Sequence, residues 1–223
     1  MNTLSTRWAA IGSVVGLAGV LILTTLPSPD DGTLAAIAAA STSFLLGNAL
    51  TFLGTALIGA GLLVIGHHCT RHGHRASAAL SRIAGVGWLL HTALIAHNAV
   101  SYELALLSDR AAAIDLETQI FAGPVFLGLL LPMLALSVVG TIGAGIALWR
   151  AGHAPIWAAA CLVLAMISDF VAPEEVSGVP TFVLLLAGFV ALRNIGSPVV
   201  DDRAAHARSG RSTDPALSGL DHG

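Results

Sequence analysis

Apolar residues run along this chain in long blocks separated by short polar breaks. Six blocks meet or approach the roughly 20 residues a helix needs to cross about 30 Å of hydrocarbon. They are Trp8 to Leu26, about Ala40 to Gly66, Ile83 to Tyr102, Phe121 to Trp149, Ile156 to Ala172 and Val179 to Leu192. At ~1.5 Å per residue the last two reach only about 25 and 21 Å, so they must extend into their flanks or thin the bilayer locally. The second is too long for one upright helix. Its alanine-rich start, TLAAIAAAST, is expected to lie at the outer interface or to extend the helix beyond the bilayer, with Gly47-Asn48 as a bend. In the fourth, Pro132 removes an interior hydrogen bond and is expected to kink the helix.

Between the third and fourth blocks, ELALLSDRAAAIDLETQI places Leu104, Leu107, Ala111 and Ile114 at helical spacing, which predicts an amphipathic helix at the outer surface. The first block follows Arg7 but ends in LTTLPSP without a small-x-small cleavage site, so it reads as a span and not as a secretory signal. Residues 197–223 are polar and lack aromatic side chains, which predicts a disordered cytoplasmic tail behind one transmembrane domain, residues 1–196. No internal repeat is evident.

Composition agrees with the pattern. Hydrophobic residues make up 55% of the chain and charged residues 10%, and the mean hydropathy is +0.82, values that exclude an ordinary soluble domain. The expected fold class is therefore all-α, a polytopic membrane bundle of six transmembrane helices. All ten basic residues are arginine, which with the alanine and glycine richness suggests a GC-rich bacterial genome and hence the bacterial cytoplasmic (inner) membrane. Placing both termini in the cytoplasm puts Arg7, Arg71, Arg75, Arg82, Arg150, Arg193, Arg203, Arg208 and Arg211 inside and only Arg110 outside. Cys69 and Cys161 then fall in a cytoplasmic loop and inside a helix, so no disulfide framework is expected.

Candidate chemistry centres on the third block, RIAGVGWLLHTALIAHNAVSYE. His91, Asn98 and Tyr102 fall within about 20° of one direction on an α-helix, giving an otherwise apolar span one polar face. Intramembrane polar groups need partners. His91 suggests a proton relay, a ligand contact or haem ligation with Met133 or Met166 as axial partner, against the plainer reading that it bonds neighbouring helices. Asn48 in the second block carries the same alternatives. His97 lies about 120° round from His91 and about 9 Å along the axis, so the two cannot chelate one metal from this helix. Asp169, the one acid inside a span, could share a proton with His97 or Glu103 at the outer mouth, or simply reach the headgroups. The loop HHCTRHGHR sets His68 and His72 four apart, with His67, Cys69 and His74 as further donors for zinc or copper. The alternative is a basic turn near anionic headgroups. No cofactor is expected outright. Gly12 with Gly16, and Gly140, Gly143 and Gly145, favour close helix packing or an oligomer. Walker, GxSxG and HExxH sequences are absent.

The stretch GTIGAGIALWRAGHAPIWAAACLVLA, Gly140 to Ala165, resembles one that recurs in small six-helix bacterial membrane proteins of unknown function, and SRIAGVGWLLHTALI is similar in style. The resemblance spans about Gly47 to Gly196. It implies the same architecture and brings no catalytic residues with it. The leading expectation is a non-enzymatic, permease-like or accessory and scaffolding membrane protein. The alternatives are a metal- or haem-binding redox protein and an intramembrane enzyme using His97, Glu103 and Asp169. The expected partners are the bilayer and a small-molecule ligand, with no nucleic acid.

Overall fold

A chain passing through hydrocarbon has no water to satisfy its peptide groups, so each segment must bond its own N–H and C=O groups, as a helix does. The structure is a computed structural model and describes residues 4–27, 33–171 and 178–192. Among the described residues every regular element is an α-helix: α1 (Leu4–Leu23), α2 (Thr33–Ala39), α3 (Ser41–Arg71), α4 (Arg75–Ala105), α5 (Arg110–Phe121), α6 (Pro124–Arg150), α7 (Ile156–Val171) and α8 (Gly178–Val190). Three of them, α3, α4 and α6, are long and apolar enough to cross a membrane, and α1, α7 and α8 contribute shorter apolar stretches. The expected disordered tail lies outside the described residues.

The six longest apolar helices close a ring in chain order: α1 packs on α3, α3 on α4, α4 on α6, α6 on α7, α7 on α8, and α8 returns to α1. Lipid tails are as apolar as leucine side chains, so the helices gain little by hiding from them; close backbone approach is what holds such a ring together. Glycine makes the approach possible. A Cβ on Gly12 would lie 2.6 Å from the Gly54 carbonyl oxygen and 2.8 Å from the Ile58 nitrogen, and one on Gly61 would lie 2.7 Å from the Ala9 nitrogen. Farther along the same antiparallel pair, Gly19 meets the Gly47 carbonyl and Thr51. Gly59 and Gly85 face each other's carbonyls between α3 and α4; Gly87 and Gly140 sit against the backbones of Ser137 and Ala84 between α4 and α6. Gly16 accommodates the Phe182 ring of α8. The GxxxG and glycine-rich patterns are thus occupied within one chain.

One buried cluster draws on all six helices, including Ala9, Ile58, Leu62, Trp88, Leu148, Leu162, Phe182 and Leu185. A second, Leu34, Ile37, Phe44, Leu104, Ala105 and Ala113, closes the end where α2 and α5 lie across the bundle. The outer surface is apolar, with Leu131, Val139, Val171 and Val190 exposed.

Several boundaries differ from the sequence expectation. The break in the second block falls at Ala40, not at Gly47-Asn48, because α2 folds over the bundle end to bury Leu34 and Ile37 while α3 runs unbroken. Gly47 serves close approach instead, its missing side chain leaving room for Leu23. The fourth span begins at Pro124, the first helical position, where a missing N–H costs nothing; Phe121 ends α5. That amphipathic helix starts at Arg110 on an Asp109 cap whose carboxylate accepts the Ala112 amide at 3.1 Å. Its buried contact is Ala113, whereas Ile114 and Leu116 are exposed.

Replacing Gly12 with Val should lower stability by ~1–3 kcal/mol, the usual cost of overpacking, measured as the thermal midpoint in detergent. Gly128→Ala, where an added Cβ meets nothing within 4 Å, should leave the midpoint unchanged or slightly raised.

Candidate functional site

The polar face of α4 meets a different partner at each depth. Near the acidic end Asn98 Nδ2 donates to Asn48 Oδ1 at 2.8 Å, and Asn48 Nδ2 donates to the Phe44 carbonyl at 2.9 Å. Two turns down, the Thr92 and Thr55 hydroxyls lie 3.2 Å apart, so that one donates to the other, and the hydroxyl that accepts keeps its own proton for its helix, Thr92 for the Trp88 carbonyl or Thr55 for that of Thr51. One turn farther, the Trp88 indole N–H donates to Thr141 Oγ1 of α6 at 3.1 Å. Polar side chains of α4 therefore bridge to both ring neighbours, α3 and α6.

His91 stacks flat on Trp88, centroids 5.4 Å apart and planes within 2°. The carboxylate that bears on it electrostatically is Asp169 of α7. Asp169 in turn accepts from Thr181 Oγ1 at 3.2 Å, and Thr181 lies 3.1 Å from the Ser168 hydroxyl. The structure thus brings Asp169 to Thr181 of α8. His97 packs instead between Phe121 and Phe126, centroids 5.2 and 5.4 Å away, with Nε2 buried and without a hydrogen-bond partner. Glu103 is exposed at the end of α4, and Tyr102 packs against the second apolar cluster. Met133 and Met166 are both buried, and the Met133 sulfur lies 3.6 Å from the Ser137 hydroxyl of its own helix.

At the acidic end a cavity of about 480 Å³ opens between α2, α3, α4 and α5. Asn98, Ser101, Glu117 and Thr118 supply its polar wall, and Phe44 and Phe121 are among its apolar residues. Of the acids on α5 and its cap, Asp109 is taken by the helix cap and Asp115 by Gln119 at 2.8 Å. Glu117 makes no hydrogen bond or ion pair with any described residue, so its carboxylate is available to the cavity.

At the opposite end, among the described residues, no three His, Cys, Asp or Glu side chains converge on a metal-sized site. His67 and His68 touch edge to face, the His72 ring nitrogen Nδ1 lies 2.9 Å from the His68 carbonyl oxygen, and Cys69 is fully buried. His74 turns away from this group to meet His153, centroids 4.6 Å apart at 84°. The cause is a matched pair of helix ends. After α3, Gly73 at φ +80 lets its own N–H reach the Thr70 carbonyl and that of His74 reach Cys69. After α6, Gly152 at φ +77 repeats the arrangement with Trp149 and Leu148. Glycine adopts this left-handed conformation without the steric cost of a Cβ. Burial, reinforced by His74 and His72, holds His153 below its ordinary pKa.

Sequence reasoning passed over His153, Glu117, Thr55 with Thr92, and Trp88 with Thr141. The signal for His153 was there: Arg71-His72-Gly73-His74 and Arg150-Ala151-Gly152-His153 share an R-x-G-H spacing. Comparison of the chain with family models, curated proteins and solved structures gives no match.

A double-mutant cycle on Asn48→Ala and Asn98→Ala should return a coupling of ~0.6 kcal/mol, typical of an interhelical hydrogen bond in a membrane protein. Unfolding of the two single variants and the double variant in detergent measures it.

Proposed function

We propose that the chain is a six-span protein of the bacterial cytoplasmic membrane, with both termini in the cytoplasm, acting as a non-enzymatic accessory protein that binds a small ligand from outside. The charge asymmetry supports the orientation. Arg71, Arg75, Arg82 and Arg150 gather at one end of the ring; Glu103, Asp109, Asp115, Glu117 and Asp169 gather at the other, and basic residues favour the cytoplasmic side.

The observation that carries the binding role is the acidic-end cavity with Glu117, which no described residue pairs. Apolar walls with a few convergent polar groups are the usual make-up of a small-molecule site. Glu117 supplies negative charge, Asn98 and Ser101 supply hydrogen bonds, and Phe44 and Phe121 supply apolar surface. The fitting ligand is a small amphipathic cation. The packed interior favours binding over transport: below the cavity, polar groups on α4 are engaged with α3 and α6, and the six-helix cluster around Trp88 fills the centre. His91, His97, Tyr102 and Asn48 serve here as packing and bridging groups around that site.

A ligand that binds only the folded state raises the thermal midpoint with concentration. Short primary alkylamines should raise it in the purified protein, alcohols of equal chain length should not, and Glu117→Gln should remove the response. An equal response to amines and alcohols, or one unchanged in Glu117→Gln, would contradict the assignment.

A further inference from the structure

A second cavity, of about 430 Å³, lies at the arginine-rich end between the start of α4 and the end of α6. His74, Arg75 and Ser77 form its wall on α4, Arg150 faces them from α6, and Leu80 and Ile146 carry the lining toward the apolar girdle. Neither guanidinium has a hydrogen bond or ion pair with a described residue. Every acidic side chain among the described residues lies at the other end of the bundle. Two like charges facing one cavity repel each other unless an anion joins them.

Two further features point to such an anion. The first turn of α4 has no side-chain cap; the Arg75 amide turns back to the Gly73 carbonyl at 3.0 Å, which leaves the Ala76 and Ser77 amides and the positive end of the helix dipole for a ligand. Ser77 is only 3% exposed, yet its hydroxyl, at the cavity wall, has no hydrogen-bond partner among the described residues. That hydroxyl opens onto the cavity, where it can donate to a bound acceptor. The turn is built to keep this geometry, since the paired helix ends at Gly73 and Gly152 set His74 against His153 beside it.

We infer that this cavity binds the phosphate of an anionic phospholipid, with Arg75 and Arg150 clamping the headgroup, Ser77 and the first turn of α4 donating to its oxygens, and an acyl chain descending past Leu80 and Ile146. Phosphate chemistry follows from paired guanidinium forks at a helix N-terminus. The lipid form follows from the apolar lining, which a free phosphate would leave empty. Basic pockets between membrane helices on the cytoplasmic side suit such headgroups. The site needs only that the bundle lies in a membrane, and it stands apart from the cation cavity at the opposite end.

Native mass spectrometry of the full chain, titrated with phosphatidylglycerol or phosphatidylcholine, tests the assignment, with inorganic phosphate as competitor. Phosphatidylglycerol should bind in preference to phosphatidylcholine. Arg75→Gln and Arg150→Gln should each weaken it about fivefold, the equivalent of ~1 kcal/mol per basic residue at an anionic surface. Arg71→Gln, outside the cavity, should change it little, and Ser77→Ala, which keeps both charges, should weaken it. Both cavity arginines are exposed, so the variants keep their fold, checked by their melting in lipid-free detergent. Equal binding of the two lipids, or equal loss in Arg71→Gln, would overturn the site. Displacement of phosphatidylglycerol by millimolar phosphate would overturn its assignment to a lipid.

Discussion

Close approach of helix backbones is the constraint on which this structure depends. In water, six apolar helices would be driven together by burial of their faces; in lipid that drive is largely absent, and contact must be won by packing and hydrogen bonding. At Gly12, Gly54, Gly85, Gly87 and Gly140 neighbouring helices come so close that even a methyl group would collide with backbone. Ring order follows from this, because glycines placed along α1, α3, α4 and α6 seat each helix against the next. Packing then fixes which polar groups can meet.

Hydrogen bonds add register more than energy. At ~0.6 kcal/mol apiece, the Asn48–Asn98, Thr55–Thr92 and Trp88–Thr141 bridges together are comparable to a single overpacking clash of ~1–3 kcal/mol. Their value lies in position, since each pairs groups only when the helices are aligned along their length. The same alignment closes the interior around Trp88 and leaves cavities at the two ends. One end holds a carboxylate and the other two guanidinium groups that no described residue pairs, so the two ends of the bundle offer opposite charges.

Much of the fold was legible in the chain because lipid imposes a length and an apolar composition that can be read directly. The boundaries of α7 came within a residue, and the amphipathic segment after α4 is present. What escaped was whatever depends on neighbours. Gly47 looked like a bend because a glycine in a long helix loosens it; only the proximity of α1 reveals that it makes room. Asp169 and His97 looked like partners because both sit near the acidic end, but His97 packs on the phenylalanines and Asp169 accepts from Thr181. Asn48 and Asn98 were recognised individually, yet their pairing required knowing that α3 and α4 run antiparallel in that register. The R-x-G-H spacing was visible in the residues and gained meaning only when the two turns met.

The central claim is that the helices form a closed ring, with the last returning to the first. An added Cβ on Gly178 would lie 3.6 Å from that of Val20, within the ~3.5–4.5 Å that a disulfide spans. The direct measurement is oxidative cross-linking of a Val20→Cys, Gly178→Cys variant in native membranes, with Cys69 and Cys161 replaced by Ser. Efficient formation of an intramolecular disulfide, seen as a mobility shift reversed by reductant, is the expected result. Failure to cross-link, in a variant that is folded and has both thiols reactive, would contradict the ring.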